Sequence, residues 1–443
     1  MLQRIALALT RWSTRWVPDS WVIAVILTLV AGLTAVLATG KTPLAVIGFW
    51  GDGLWELLAF GMQMAIVIVS GHILAETPLF KRLLERLAGL AKGPRSAVAL
   101  MALTSMLLAW VNWGLSLIGS GVFAKTLARR VPQADFRLLV ASAYLGLGCL
   151  WHAGLSASAP LLVATEGHFL VKQIGVIPVT QTIFHPFNLL LSLAVLVVMT
   201  TVAVVAHPPQ AAAVFLDDHA PVQHSPMAQA ARTPAEAIEQ SPVINLLTGG
   251  AGLLWLAQYL AQKGAAGINL NVVNLFFLSL GVLLHVTPQR FLKAAEEAGH
   301  HVWGIVIQFP LYGGIFGIIK YSGLQDIASA WFAGATSPAM YPLFVTWYSG
   351  VLNYLIPSGG AKWAVEAPYV LQAAQTMGAS VPATVLAYAW GDMLTDIVQP
   401  FWAIPLLGLA KLQFRDIMGY ALLFFVIYAL VVTIGFAAAP WFF

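Results

Sequence analysis

Charge and thiols are what this chain has least of. Only 9% of its 443 residues are Asp, Glu, Lys or Arg, and Cys149 is its single cysteine. Soluble domains carry about 25% charged residues, so the shortage excludes a water-soluble enzyme and a nucleic-acid-binding module. One cysteine excludes a disulfide within the chain and any multi-thiolate metal site. A His-Glu-x-x-His helix is also missing, which removes the zinc-protease form of an intramembrane enzyme. What is present is apolar: 59% of the residues are hydrophobic and the mean hydropathy is +0.82. The reading is an all-α polytopic membrane protein whose partners include the lipid bilayer and no nucleic acid.

A spanning helix needs about 20 mostly apolar residues, and such helices are expected near 19–39, 52–76, 184–206, 243–262, 268–287, 301–320 and 417–439. The first follows Arg4, Arg11 and Arg15 and lacks a small-residue cleavage site, so it reads as a retained span. Four more stretches, 96–131, 136–166, 340–376 and 382–410, are apolar but interrupted. Their breaks are Asn112-Trp113-Gly114, His152-Ala153-Gly154, Asn353 through Pro357-Ser358-Gly359-Gly360, and Gln399-Pro400. Such breaks free backbone groups that lipid cannot satisfy, so these segments must face protein or a watery cavity.

Short loops rich in Lys and Arg belong in the cytoplasm. That places the N-terminus, the loop with Lys81, Arg82, Arg86, Lys92 and Arg95, the pair Arg290 and Lys293, and Lys411 and Arg415 inside, and the C-terminus outside. The stretch 96–131 has basic residues at both ends, so it is expected to be a re-entrant hairpin entering from the cytoplasm; 340–376 is expected to enter from outside. Residues 207–242, rich in Ala, Pro, Gln and His, read as a cytoplasmic linker. Gln63 and Gln308 lie 245 residues apart, Ala143-Tyr144 recurs as Ala387-Tyr388, Pro160-Leu161-Leu162 as Pro405-Leu406-Leu407, and Asn112-Trp113 as Asn353-Tyr354. The common order and near-constant offset mark an internal repeat, inverted by the extra helix 243–262. Inverted repeats with broken helices are the architecture of secondary transporters, with the site at the bilayer midplane.

The runs Trp50-Gly51-Asp52-Gly53, Leu58 through Met64, Val111-Asn112-Trp113-Gly114, Ile356-Pro357-Ser358-Gly359-Gly360, Gln399-Pro400-Phe401-Trp402 and Arg415 through Tyr420 resemble the bacterial short-chain fatty acid transporter family. The resemblance covers nearly the whole chain except 207–242. It implies import of acetoacetate, butyrate or a related monocarboxylate across the bacterial inner membrane, without a cofactor and coupled to H⁺ or Na⁺. Through the ion transporter superfamily it also implies a homodimeric elevator. The scaffold would be 1–95 with 243–339, and the moving transport domain 96–206 with 340–443.

Candidate site residues sit at the breaks. The return helix after Pro357 offers N–H groups to an anion, so Ser358, Gly359, Gly360 and Lys362 are expected around a substrate carboxylate. Asn112 and Ser116 at the first tip, with Asn353, are candidates for substrate or for sodium. Charges inside a membrane mark a substrate or ion pathway, which makes Glu366, Asp392 and Asp396, with Gln399, candidates for the coupling cation. Lys362 and Glu366 are four apart, as are Asp392 and Asp396, so each pair shares a helical face. His152 aligns with Asp396 at the 244-residue offset and is a candidate titrating group. A sodium site would combine Asn112, Ser116, Asn353 and Asp396. An aspartyl protease needs acids on facing helices, which Asp392 and Asp396 do not provide. A channel suits two opposed hairpins less well than alternating access. The nearer alternative is a cation-coupled carrier of another anion, such as a dicarboxylate or an amino acid.

Overall fold

The structure, a computed structural model, describes Pro18, residues 20–216 and residues 233–443. Arg4, Arg11 and Arg15, where the orientation argument begins, lie outside the described residues, as does 217–232 of the linker. Among the described residues the regular structure is entirely helical, and eight helices are long and apolar enough to cross a membrane.

Hydropathy located most of the spans. Ser20–Thr39, Pro186–Val205, Pro242–Lys263, Trp303–Ser322 and Phe414–Ala437 are observed close to their expected positions, and Leu270–His285 is a shorter apolar helix. The expected span 52–76 is observed as Leu58–Ala75, and a separate helix, Pro43–Gly53, precedes it. That preceding helix packs closely against a later span: a Cβ at Gly53 would collide with Gly313 O, and one at Gly317 with Phe49 O. The helices Pro43–Gly53 and Trp303–Ser322 therefore meet backbone to backbone, which small residues alone permit.

Both hairpins form. Pro94–Val111 and Trp113–Arg130 fold back on each other around Asn112, and Ser116 Oγ donates across the hairpin to Ser105 O (2.8 Å). Tyr341–Leu355 and Gly359–Met377 do the same around Pro357; Tyr341 Oη donates to Val370 O (2.8 Å). The interrupted helices break where Gly and Pro require it, into Phe136–Cys149 and Ala159–Val163, and into Val381–Asp396 and Ile404–Ala410. Each half thus runs through the same succession of a span, a short helix, a hairpin, a broken helix and a closing span. Burial separates inner from outer helices. Of the most apolar 18 residues in each stretch, 94% are buried in Phe136–Ala153, against 11% in Trp21–Thr39 and 17% in Pro242–Gly267, whose apolar side chains are left for lipid or a second copy.

The linker is less featureless than its composition predicts. Residues 210–212 form a 3₁₀ turn and Pro234–Glu239 a short helix. Asp135, fully buried, caps Phe136–Cys149 by accepting from Leu138 N–H (2.7 Å). It also accepts from Val214 N–H (2.8 Å) and lies 3.3 Å from Arg137 Nη2. Losing a buried carboxylate with two backbone donors leaves both donors unpaired, so Asp135→Ala should destabilise the protein by about 2–4 kcal/mol. Asp135→Asn, which keeps one acceptor oxygen, should lose less. Thermal unfolding in detergent checks the order; equal melting of Asp135→Ala and the parent would contradict it.

Candidate functional site

Breaking a helix exposes carbonyls that must find donors inside the protein. At the second broken helix Tyr144 Oη supplies them, reaching Asp396 O (3.0 Å) and Gln399 O (3.2 Å). At the first, Asn188 Nδ2 donates to Ala153 O (2.8 Å), and Trp390 Nε1 donates to Asn188 Oδ1 (2.8 Å). The second hairpin docks beside them. Tyr388 Oη donates to Gly359 O (2.5 Å), and a Cβ at Gly359 would lie 2.7 Å from both Asp392 Oδ2 and the Trp151 ring. Glycine at 359 is therefore required by close approach, not only by the turn.

Where these elements converge they leave a cavity. On one side Ser358, Gly359, Gly360 and Asp396 face it, joined by the indoles of Trp113, Trp151 and Trp402. Met64, Ile305 and Phe309, from Leu58–Ala75 and Trp303–Ser322, form the opposite wall. Among the described residues, Asp396 is the one charged side chain on this wall. Its Oδ1 accepts from Asn353 Nδ2 (2.8 Å) and its Oδ2 from Trp151 Nε1 (3.1 Å). Ser358 caps the return helix by accepting from Ala361 N–H (3.4 Å), so a helix N-terminus opens on the cavity beside a carboxylate.

The other charges are buried behind that wall. Lys362 Nζ donates to Ser349 O (2.9 Å) and Ser349 Oγ (2.7 Å) and lies 2.9 Å from Asp392 Oδ1. Ser349 thus takes two of its N–H bonds while Asp392 balances its charge, and its ammonium also sits 4.6 Å from the centre of the Tyr388 ring. Lys362 is not among the residues that line the cavity, and it adjoins that wall through Asp392 and Tyr388, both of which lie against Gly359. Glu366 Oε1 is 3.7 Å from Lys362 Nζ, and neither Glu366 oxygen has a hydrogen-bond partner. Asp392 Oδ2 meets His152 Nδ1 at 3.0 Å. His152 Nε2 accepts from Ala159 N–H (3.3 Å) and lies 2.7 Å from Ser158 Oγ. A backbone N–H can only donate, so Nε2 is the acceptor nitrogen and the ring proton sits on Nδ1, facing Asp392.

Asn112 and Ser116 do not join Asn353 and Asp396. Asn112 caps its own helix by accepting from Leu115 N–H (2.9 Å) and donates to Val67 O (3.4 Å), while Ser116 bonds across its hairpin. Gln399 is buried at the break, where its backbone oxygen meets Tyr144. Gln63 bonds between helices, donating to Asn271 Oδ1 (2.7 Å). Sequence reasoning assigned no role to the three cavity indoles or to Ser349. A signal for the indoles existed: Trp113, Trp151 and Trp402 each lie within two residues of a break.

The family model described as Short chain fatty acid transporter matches residues 1–438. The chain belongs to the short-chain fatty acid transporter family. The "Putative short-chain fatty acid transporter" of Escherichia coli (strain K12) is 37% identical over 438 residues, covering 98% of this chain and 99% of that protein. A protein of the same description from Haemophilus influenzae (strain ATCC 51907 / DSM 11121 / KW20 / Rd) is 33% identical over 446 residues, with 98% and 99% covered. In fold, the chain is similar to the Alcanivorax borkumensis YdaH transporter, described as having an unusual topology. The TM-score is 0.55 at 16% identity, with 96% of this chain and 98% of that one covered. Neisseria gonorrhoeae MtrF, described with a class of antimetabolite efflux pumps, aligns with a TM-score of 0.50 at 12% identity over 99% and 97% of the two chains. This member of the short-chain fatty acid transporter family is a multi-pass membrane transporter and not an enzyme.

Proposed function

We propose that the protein imports short-chain monocarboxylates of the acetoacetate and butyrate type by symport with a proton. The observation that carries this reading is the pairing, on one cavity wall, of an open helix N-terminus at Ser358-Gly359-Gly360 with the single carboxylate Asp396. The N-terminus favours an anion. Asp396, if charged, repels it by about 3 kcal/mol at a separation of ~6 Å and an effective dielectric of ~20. A cation on Asp396 removes that repulsion, so anion and cation bind best together, which is the requirement for symport. The remaining wall is aromatic and aliphatic, matched to a short apolar tail, and among the described residues it carries no cation for a second carboxylate.

Sodium coupling has one observation in its favour: Asn353 Oδ1, beside Asp396, is buried without a donor. A zwitterionic amino acid is the second substrate reading, because Asp396 could meet its ammonium while the helix N-terminus meets its carboxylate. We further propose a homodimeric elevator with inverted repeats, residues 96–206 and 340–443 moving against 1–95 and 243–339. The two cavity walls come from these two sets of helices. The space beyond Phe309 widens toward His301 and Trp303. That end adjoins the helix bearing Arg290 and Lys293, so the positive-inside rule supports an inward-open state in the inner membrane, with the N-terminus inside and the C-terminus outside.

Purified protein in liposomes should accumulate labelled butyrate or acetoacetate when a pH gradient, acidic outside, is imposed at constant Na⁺. Accumulation that follows a Na⁺ gradient and ignores pH would replace the proton with sodium, and uptake of amino acids in place of carboxylates would replace the substrate.

A further inference from the structure

The sequence singled out Gln399-Pro400-Phe401-Trp402 without giving Trp402 a task. Its ring lines two adjoining spaces. The deeper one, of about 50 Å³, holds Asp396 and the Ser358-Gly359-Gly360 turn. The wider one, of about 170 Å³, leads past Gln308 to His301 and Trp303. Ser358, Ile305 and Phe309 also border both, but Ser358 is small and Phe309 is wedged: a Cβ at Gly61 would stand 3.2 Å from it and one at Gly360 3.3 Å. Trp402 is the largest group at the junction, and its orientation is held twice. Its Nε1 donates to Pro357 O (2.7 Å), one residue before the helix cap, and its ring meets Trp113 edge-on at 5.4 Å. Trp113 is buried whereas Trp402 is only partly buried, as expected of a ring standing at a boundary.

We infer that Trp402 is the partition that sets the chain length of the substrate: with a carboxylate seated at Gly359 and Gly360, the indole closes the deep space behind the apolar tail. The anchor to Pro357 ties that partition to the turn that holds the carboxylate, so headgroup seat and end stop keep a fixed spacing. This inference rests on the carboxylate reading. A hydrophobic pocket discriminates one methylene by roughly 10–200-fold, which makes chain length a sensitive readout.

The test is competition against labelled butyrate uptake by acetate, butyrate, hexanoate and octanoate, in liposomes holding the parent, Trp402→Ala or Trp402→Phe. Trp402→Ala joins the two spaces and should raise the potency of hexanoate relative to butyrate by about tenfold or more. Trp402→Phe keeps a ring but loses the N–H, and should stay near the parent. A Trp402→Ala protein with the parent's potency order overturns the inference. So does a Trp402→Phe protein that shifts as far as Trp402→Ala, since the anchor and not the ring would then set the length. Should Trp402→Ala fail to fold, Trp402→Leu takes its place with the same expected direction, and an unchanged order there is equally decisive. A parent protein that neither transports nor is inhibited by any of these acids brings down the carboxylate reading itself, an outcome distinct from an unchanged preference.

Discussion

Lys362→Met is expected to destabilise the protein by about 3–5 kcal/mol and to abolish transport, although Lys362 does not line the cavity. The lysine is fully buried, and its ammonium is 2.9 Å from Asp392 Oδ1 and 3.7 Å from Glu366 Oε1. Removing one partner of a buried ion pair leaves the other uncompensated, which is the origin of that magnitude. The Ser349 carbonyl and hydroxyl lose their donor as well. Asp392 faces the Gly359 turn, so misplacing it disturbs the carboxylate seat at second hand. Neutralising both partners should be milder than removing one: Lys362→Met with Asp392→Asn should recover a large part of the loss, because the introduced amide oxygen can still accept from His152 Nδ1. Unfolding in detergent measures both proteins. A Lys362→Met protein as stable as the parent, or a double variant worse than the sum of the single changes, would mean that this pairing does not hold the second hairpin.

Asp396→Asn should uncouple the transporter. Asparagine has the size of a protonated aspartate and cannot take up or release the proton, so accumulation driven by a pH gradient should disappear while exchange of internal for external substrate continues. With the repulsion removed, affinity for the anion at high pH should rise by roughly 100-fold, the equivalent of ~3 kcal/mol. Asn353 Nδ2 and Trp151 Nε1 both donate to this side chain, and asparagine retains one acceptor oxygen, so a stability loss of about 1–3 kcal/mol should accompany the change. Exchange measured beside gradient-driven uptake separates the two effects. An Asp396→Asn protein that still concentrates substrate on a pH gradient moves the coupling site elsewhere, with Glu366 the next candidate because neither of its oxygens has a hydrogen-bond partner.

The membrane class, the places of the spans, both hairpins and both helix breaks were legible in the chain. Each is written in local chemistry, in runs of about 20 apolar residues and in Gly, Pro and Asn at positions where lipid cannot tolerate a free backbone group. The Lys362 and Glu366 pairing was legible too, since four residues of helix bring two side chains to one face. What was not legible depends on which distant backbone each face meets. The helix Pro43–Gly53, ahead of the expected span 52–76, touches Trp303–Ser322 through Gly53, Gly313 and Gly317, and nothing in its own run of residues says that its neighbour will be glycine at that level. The repeat offset sets His152 and Asp396 at equivalent positions and names no partner for either; in the fold His152 is bonded to Asp392, while the adjacent Trp151 reaches Asp396. One residue of helix turns a side chain by about 100°, so an alignment accurate to a residue still leaves the partner open. The same rotation separates Lys362, sealed behind the wall, from Gly359 and Gly360 on it. Composition could say that a carboxylate, a lysine and a glycine turn lie in the membrane together. Which of them meets the substrate follows from the packing of four broken or folded-back segments around one cavity, a long-range arrangement that no local spacing encodes.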